Sequence, residues 1–193
     1  LTRNIEIVNR IDVNHKGLVA TRELLDINGN LICMDSNTTD IKGVSTVELP
    51  ELATDSVPDG IDGDVYYIRL KLADSKGETL STNFYVLSAN EGNLQQLASL
   101  PEVNLTVSTE RYSDNTLTVF LKNACDTPAM MIRLNLKTDD GEQVLPVDYS
   151  DNYFHLMPGE ECFVNIEWNK ADARQKVPFV EMTGYNVKQR TLR

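Results

Sequence analysis

Histidine, tryptophan and cysteine are scarce in this chain of 193 residues, which contains two, one and three of them. With only His15 and His155, and no Gly-x-Ser-x-Gly motif, the sequence gives little basis for a nucleophilic catalytic triad. Cys33, Cys125 and Cys162 are widely spaced and form no Cys-x-x-Cys pair, which argues against a zinc site. We expect buried free thiols, and the alternative is a Cys125–Cys162 disulfide.

Long apolar runs and an excess of positive charge are also missing. No apolar run approaches the roughly 20 residues that span a bilayer, and the N-terminus lacks the basic and apolar regions of a signal peptide. The 29 acidic residues outnumber the 18 basic ones and give a formal net charge of -11. Because this charge repels phosphate backbones, we expect no nucleic-acid binding, and the lack of a long apolar run predicts no membrane insertion.

The composition is otherwise that of a folded protein, with 41% hydrophobic and 24% charged residues. The length suits two small β-sandwiches. Short runs rich in Val, Ile, Thr and Tyr, separated by polar turns, predict an all-β fold. The predicted strands are residues 5–10, 17–27, 31–35, 44–50, 64–74, 79–88, 102–111, 116–124, 129–138, 142–146, 160–169 and 177–187. In residues 64–74, alternation predicts one aliphatic face and one charged face.

Turns and a connector organise these strands into two halves. Residues 26–30, 74–78 and 139–142 each contain a glycine suited to a tight hairpin. We assign residues 1–88 and 100–193 to two domains and residues 89–99 to a connector. Leu94, Leu97 and Leu100 lie on one side of a short predicted helix in or beside this connector. We expect them to fix the angle between the domains, and the rival is that they complete one domain's core.

The acidic residues raise the question of a catalytic or metal site. Glycoside hydrolysis needs only two carboxylates roughly 5 to 10 Å apart. However, most acids here fall in turns, where short polar side chains bond to their own backbone. Residues 59–64 are acid-rich but lack the spacing of a calcium loop. We therefore expect no catalytic residue, no metal and no cofactor.

Trp168 is the single tryptophan and the natural candidate for a sugar-stacking platform. It shares strand parity with Val164 and Ile166, whereas Phe163, Asn165 and Glu167 take the opposite face. Its neighbours therefore favour the core for Trp168.

Four stretches of the sequence carry a resemblance to a known family. They are "DVYYIRLKLADSKGETLSTNFYVLS" (64–88), "LASLPEVNLTVSTE" (97–110), "IRLNLKTDDGEQVLPVDYSDNYFHLMPGEECFVNIEW" (132–168) and "GYNV" (184–187). The chain resembles the C-terminal region of glycoside hydrolase family 2, in particular exo-β-D-glucosaminidases and β-mannosidase-like enzymes. The "NFY-x-LS" and "LPV-x-YSDNYF-x-L-x-PGE" stretches are the most specific.

The resemblance implies two tandem immunoglobulin-like β-sandwiches, because such domains follow the catalytic (β/α)₈ barrel in that family. The catalytic glutamates belong to the barrel, which this sequence does not match. The chain alone is therefore not expected to be an enzyme. Its expected role is to support the barrel and the other domains of a parent glycosidase, which we expect in the periplasm or outside the cell.

A carbohydrate-binding module is the alternative function, with glycan as the partner and Trp168, Tyr149 or Tyr153 as the aromatic platform. Asp151 and Tyr153 are also candidates for contact with the barrel or an extended substrate. The stretch "SDNYFHLMPGE" (150–160) is otherwise interpreted as a corner between sheets. In that interpretation its polar residues cap a bend and Tyr153, Phe154 and Leu156 point inward.

Overall fold

The computed structural model describes residues 5–50, 65–89 and 93–193, and the chain divides into two compact units, Leu1–Ser99 and Leu100–Arg193. The regular structure of the described residues consists of antiparallel strands and a 3₁₀ helix, which confirms the all-β prediction. No helix in this part of the chain has the length and apolar character needed to cross a membrane.

The first unit pairs a two-stranded sheet with a four-stranded one. Its sheets have the orders β1-β4 and β3-β2-β5-β6. The strands are β1 (Ile5–Asn9), β2 (His15–Asp26), β3 (Leu31–Ile41), β4 (Ser45–Leu49), β5 (Val65–Ala73) and β6 (Thr79–Ser88).

The hairpins of the first unit close as the sequence predicts. In the β2–β3 turn, Gly29 has a φ of 82° and donates its N–H to the Asp26 carbonyl at 3.0 Å. In the β5–β6 turn, Gly77 has a φ of 87° and bonds to the Asp74 carbonyl at 3.0 Å. Each aspartate also accepts two backbone N–H groups on one carboxylate oxygen. Both hairpin predictions are confirmed, and their acids serve the turn.

The core of the first unit contains a buried charge. Arg22 points inward on β2 and is only 2% exposed. Its Nε donates to Asp35 Oδ1 at 2.6 Å, and its guanidinium also bonds to Asp35 Oδ2 and to the Pro50 carbonyl. The surrounding apolar cluster consists of Ile7, Leu18, Ala20, Ile41 and Leu49.

Strand β5 departs from the predicted pattern of one buried face. Val65 and Tyr67, on the same face as Arg69, are fully buried, whereas Ile68 on the aliphatic face is only half-buried. Burial of Tyr67 is possible because its hydroxyl donates to the Ile27 carbonyl at 3.0 Å. The prediction of a single buried face is wrong at this end of the strand.

The second unit is a sandwich of two four-stranded sheets, with the orders β10-β12-β8-β7 and β11-β9-β13-β14. Its strands are β7 (Thr106–Ser113), β8 (Thr116–Lys122), β9 (Ala129–Lys137), β10 (Val147–Tyr149), β11 (Phe154–Leu156), β12 (Glu161–Trp168), β13 (Phe179–Thr183) and β14 (Arg190–Leu192). Inward side chains of both sheets form one core that includes Leu121, Ile132, Leu134, Val164, Ile166 and Trp168.

The turn at residues 139–142 forms as predicted, but the strand predicted after it does not. Gly141 has a φ of 84°, and the Thr138 N–H donates to the Glu142 carbonyl at 2.9 Å. Beyond it, residues 142–146 contain only an isolated bridge between Lys137 and Gln143. The strand prediction is wrong: pairing stops after the Val144 N–H, which donates to the Leu136 carbonyl at 2.9 Å, and Pro146 has no N–H with which to continue a ladder.

The connector contains the 3₁₀ helix Gln95–Ser99. Leu94 is 41% exposed, and Leu97 and Leu100 are half-buried. The Gln96 side-chain oxygen accepts the Val65 N–H at 2.9 Å, which ties the helix to the first unit. A short helix is present as predicted, but of the three leucines only Leu97 lies within it, and a fixed junction between the domains stays a prediction.

Candidate functional site

The segment after β10 supplies hydrogen-bond partners to an edge of strand β9 that β11 leaves partly unpaired. Strand β11 pairs with β9 only at Ile132 and Ala129, so the backbone groups of Leu134 and Leu136 need other partners. The Asn152 side chain accepts the Leu134 N–H and donates to the Leu134 carbonyl, both at 2.9 Å. Its amide thus bonds to β9 as a neighbouring strand would.

Tyr149 continues this edge. Its hydroxyl oxygen accepts the Leu136 N–H at 2.9 Å, and its ring packs against the core of the second unit. Burial raises the pKa of Tyr149. The Tyr149 hydroxyl and much of its ring are therefore already engaged in structural contacts, so Tyr149 is a poor candidate for a sugar-binding platform.

Tyr153 and Asp151 remain at the surface. Tyr153 is 56% exposed and adopts a φ of 59°, so the prediction that it points inward is wrong. The Arg133 guanidinium lies 5.9 Å from its ring centroid. Asp151 is exposed and accepts the Asn152 N–H at 2.8 Å. The Asn152 side chain faces β9, and the chain turns through positive φ at the next residue, which leaves the Tyr153 side chain at the surface.

His155 lies where the register of β11 against β9 shifts, and it is uncharged at neutral pH. Its Nδ1 accepts the Met131 N–H at 3.1 Å, and Met131 adopts a φ of 51°. Burial lowers the pKa of His155 to about 4. The ring is therefore a hydrogen-bond acceptor for an irregular strand.

Trp168 lies in the core, as its parity with Val164 and Ile166 predicts. It is 5% exposed, and the Arg111 guanidinium lies 5.3 Å from its ring centroid. Its Nε1 has no hydrogen-bond partner among the described residues. A ring enclosed in this way offers no flat surface to a sugar.

Most of the acids with assigned contacts serve turns and ion pairs. Lys176 Nζ lies 2.7 Å from Asp139 and 2.8 Å from Asp140. The Lys176 ammonium and the Thr138 hydroxyl hold the pKa of Asp140 well below its usual range. Across the described ranges, no three His, Cys, Asp or Glu side chains gather in a metal-binding group. The acid-rich residues 59–64 lie outside these ranges.

All three cysteines are free thiols and only half-buried. Burial, followed by the charges of Asp151 and Glu160, raises the pKa of Cys162 to about 12. Such a thiol is protonated at neutral pH and therefore a poor nucleophile.

The structure also brings together a surface on strands β8, β10 and β12 that has no role in the sequence-based predictions. We call it the outer sheet face and define it by six residues that point away from the core. Phe120 and Phe163 pair across the strands with ring centroids 5.0 Å apart. The same parity that places Trp168 inward places Phe163 outward. The other four residues are Thr118, Asn165, Asp148 and Glu167.

The fold defines a class of protein, an all-β chain of two tandem β-sandwiches. Two family models match the sequence. The exo-β-D-glucosaminidase Ig-fold domain matches residues 83–187, and the mannosidase Ig/CBM-like domain matches residues 4–90. The chain belongs to the exo-β-D-glucosaminidase Ig-fold domain family.

Curated relatives agree with this assignment. An exo-β-D-glucosaminidase of Streptomyces avermitilis is 28% identical over 71% of this chain and 18% of its own length. One from Amycolatopsis orientalis is 26% identical over 98% of this chain and 20% of its own length. The chain thus spans about a fifth of the relatives that it matches.

A solved structure shows the same fold. The exo-chitosanase CsxA of Amycolatopsis orientalis superposes with a TM-score of 0.82 at 22% identity. The match covers 98% of this chain and 25% of that one. The tandem immunoglobulin-like architecture implied by the sequence resemblance is confirmed.

Proposed function

We propose that this chain is a non-catalytic part of an exo-β-glucosaminidase-like family 2 glycoside hydrolase. Its two sandwiches support a catalytic barrel elsewhere in a longer protein. The observation that carries this proposal is the combined match of both halves to immunoglobulin-like domains and of the whole chain to about a fifth of its relatives.

The side-chain chemistry of the described residues supports a structural role. Glycoside hydrolysis needs a carboxylic acid with a raised pKa beside an ionised carboxylate. Every carboxyl group with a shifted pKa among the described residues has a lowered value, caused by hydrogen bonds or lysine partners. These groups are Asp74, Asp114, Asp139 and Asp140. Lowered values favour the ionised form and are typical of turns and ion pairs.

We also propose where the longer protein works. The solved relative is an exo-chitosanase, and a polymeric glycan is accessible in the periplasm or outside the cell. Cell fractionation with an antibody against residues 100–193 tests this part, and a purely cytoplasmic signal would contradict it.

The support role is tested on the longer protein itself. The coding sequence upstream of Leu1 is expected to encode the barrel. Deleting residues 1–193 from that protein should lower its melting temperature and its activity on an aryl β-glucosaminide. The proposal fails if the reading frame encodes no catalytic domain, or if the deletion leaves both quantities unchanged.

A further inference from the structure

The exposed aromatic pair on the outer sheet face has no structural explanation in the core. Phe163 is 65% exposed in the middle of β12, between the exposed residues Glu161 and Asn165. Phe120, half-buried beneath it on β8, holds the ring at an interplanar angle of 47°. Large apolar side chains exposed within a polar rim are typical of binding surfaces.

We propose that the outer sheet face binds a chain of protonated amino sugars. The ligand class rests on the function proposed above, whereas the face is defined by the second sandwich alone. Phe163 packs against the apolar side of a sugar ring and attracts its ammonium group through the ring quadrupole.

Hydrogen-bonding groups lie directly beside the aromatic pair. The Thr118 hydroxyl donates to Asn165 Oδ1 at 2.7 Å, which fixes the orientation of the Asn165 amide. Its Nδ2 carries two donors and has no hydrogen-bond partner in the described part of the chain. These donors are available to sugar hydroxyl groups next to Phe163.

An uncompensated negative charge continues the face. Asp148 and Glu167 are directly opposite each other on β10 and β12, where like charges destabilise a sheet. Among the described residues, neither forms an ion pair. They also line an open cleft of about 520 Å³ together with Asn115, Asn169 and Lys170, and the ammonium group of Lys170 pairs with Asp114. A protonated amine placed here would offset their repulsion.

The spacing favours an oligomer. Phe163 and Glu167 lie on the same face of one strand, about 13 Å apart at the usual rise per residue. A single sugar cannot contact both, whereas an oligosaccharide lying along β12 can. The acidic groups favour this cationic ligand over the other possible occupant, a second protein domain.

The test is titration of the 193-residue chain with a β-1,4-linked glucosamine hexamer under mildly acidic, low-salt conditions. Calorimetry gives the affinity, and amide chemical shifts locate the ligand. We expect saturable binding with shifts at Phe163, Asn165 and Glu167. Phe163→Ser should weaken binding by about tenfold, equal to 1.4 kcal/mol. A double variant, Asp148→Asn with Glu167→Gln, should weaken it and reduce its salt dependence.

Two control variants have the same chemistry elsewhere on the second sandwich. Tyr185→Ser removes another exposed aromatic ring, and Glu142→Gln removes an acid at a turn. Both should leave the affinity within about twofold of wild type. Trp168 fluorescence confirms that every variant is folded.

Several results would overturn the proposal. These are absence of saturable binding, a Phe163→Ser affinity equal to wild type, and equal binding of glucose or N-acetylglucosamine hexamers. Protection of this face from hydrogen exchange by the rest of the longer protein, without oligosaccharide, would assign it to a domain contact instead. Aryl-glucosaminide activity of the longer protein tests the parent function separately, because a small substrate does not need this face.

Discussion

The two sandwiches accommodate buried polar groups in different ways. In the first, the charged Arg22 is buried and bonds to Asp35 on the neighbouring strand. In the second, neutral amides take this place, and Asn123 and Asn186 each bond to several backbone groups. An amide can satisfy donors and acceptors at once, so it can fix irregular loops. The Arg22 guanidinium also reaches the Pro50 carbonyl, but its ion pair must offset two desolvation costs.

The largest effect should come from removing a buried amide in the second sandwich. Asn186 accepts the Met130 N–H at 2.9 Å and donates to the Pro101 and Pro128 carbonyls at 3.0 and 2.9 Å. Asn186→Ala leaves these three groups without that partner and should cost about 3–5 kcal/mol. Urea unfolding followed by Trp168 fluorescence measures this loss, with the exposed Gln189→Ala as control. A loss below about 1 kcal/mol would show that water replaces the amide.

The next effect concerns the ion pair of the first sandwich. Asp35→Ala leaves the Arg22 guanidinium buried without its carboxylate and should cost about 2–4 kcal/mol, since Asp35 is partly exposed. Glu23→Ala breaks the Arg69–Glu23 pair on the same sheet and should cost less than about 1 kcal/mol. Hydrogen exchange of strands β2 and β3 reads out both variants. Equal losses would mean that burial does not distinguish the two pairs.

A smaller effect concerns the pH dependence of the free energy of unfolding, which should differ between the two sandwiches. The folded-state pKa of His155 is about 4, below the usual value of 6.5, so the unfolded chain binds the proton more tightly. Stability of the second sandwich is therefore fully present above pH 6.5 and falls as the pH drops towards 4. Allowing for partial exposure, the loss is about 1–2 kcal/mol.

His155→Gln is the matched variant for this pH effect. Glutamine can still accept the Met131 N–H but does not titrate in this range. The variant should flatten the pH dependence of Trp168-detected unfolding between pH 6.5 and 4. An unchanged pH slope would assign the effect to other groups.

The smallest expected effect on stability belongs to the connector. If Leu94 and Leu97 fix the angle between the sandwiches, Leu94→Ser with Leu97→Ser should broaden the interdomain distances seen by small-angle scattering. Each sandwich should remain folded, because neither leucine is fully buried. If the wild type already scatters as a broad range of interdomain distances, the junction is not fixed.

The sequence predicts those parts of the fold whose signals are local. Strand β12 alternates strictly, and the Gly29, Gly77 and Gly141 turns carry residues suited to positive φ. The strands β10, β11 and β14, which have three residues each, were missed because they are too short to show a period. Strand β3 extends beyond its predicted end through the polar residues 36–40 to the buried Ile41, because hydrogen bonding to β2 continues where the strand signal in the sequence is weak.

The candidate site was less predictable, since it depends on which residues face each other across strands. Parity put Phe163 outward, but its partner Phe120 and the opposition of Asp148 and Glu167 follow from strand register. Register is set by long-range pairing, which a single sequence does not display. The edge-completing role of Asn152 depends on the backbone groups that β11 leaves unpaired, and only the structure reveals it.

The central proposal is that these two sandwiches are part of a longer glycosidase and do not themselves catalyse hydrolysis. The most direct test is to assay the 193-residue chain, purified free of host glycosidases, on aryl β-glucosaminides, β-mannosides and β-galactosides. We expect no turnover above a buffer blank. Turnover that a single Asp or Glu substitution in this chain abolishes would contradict this proposal.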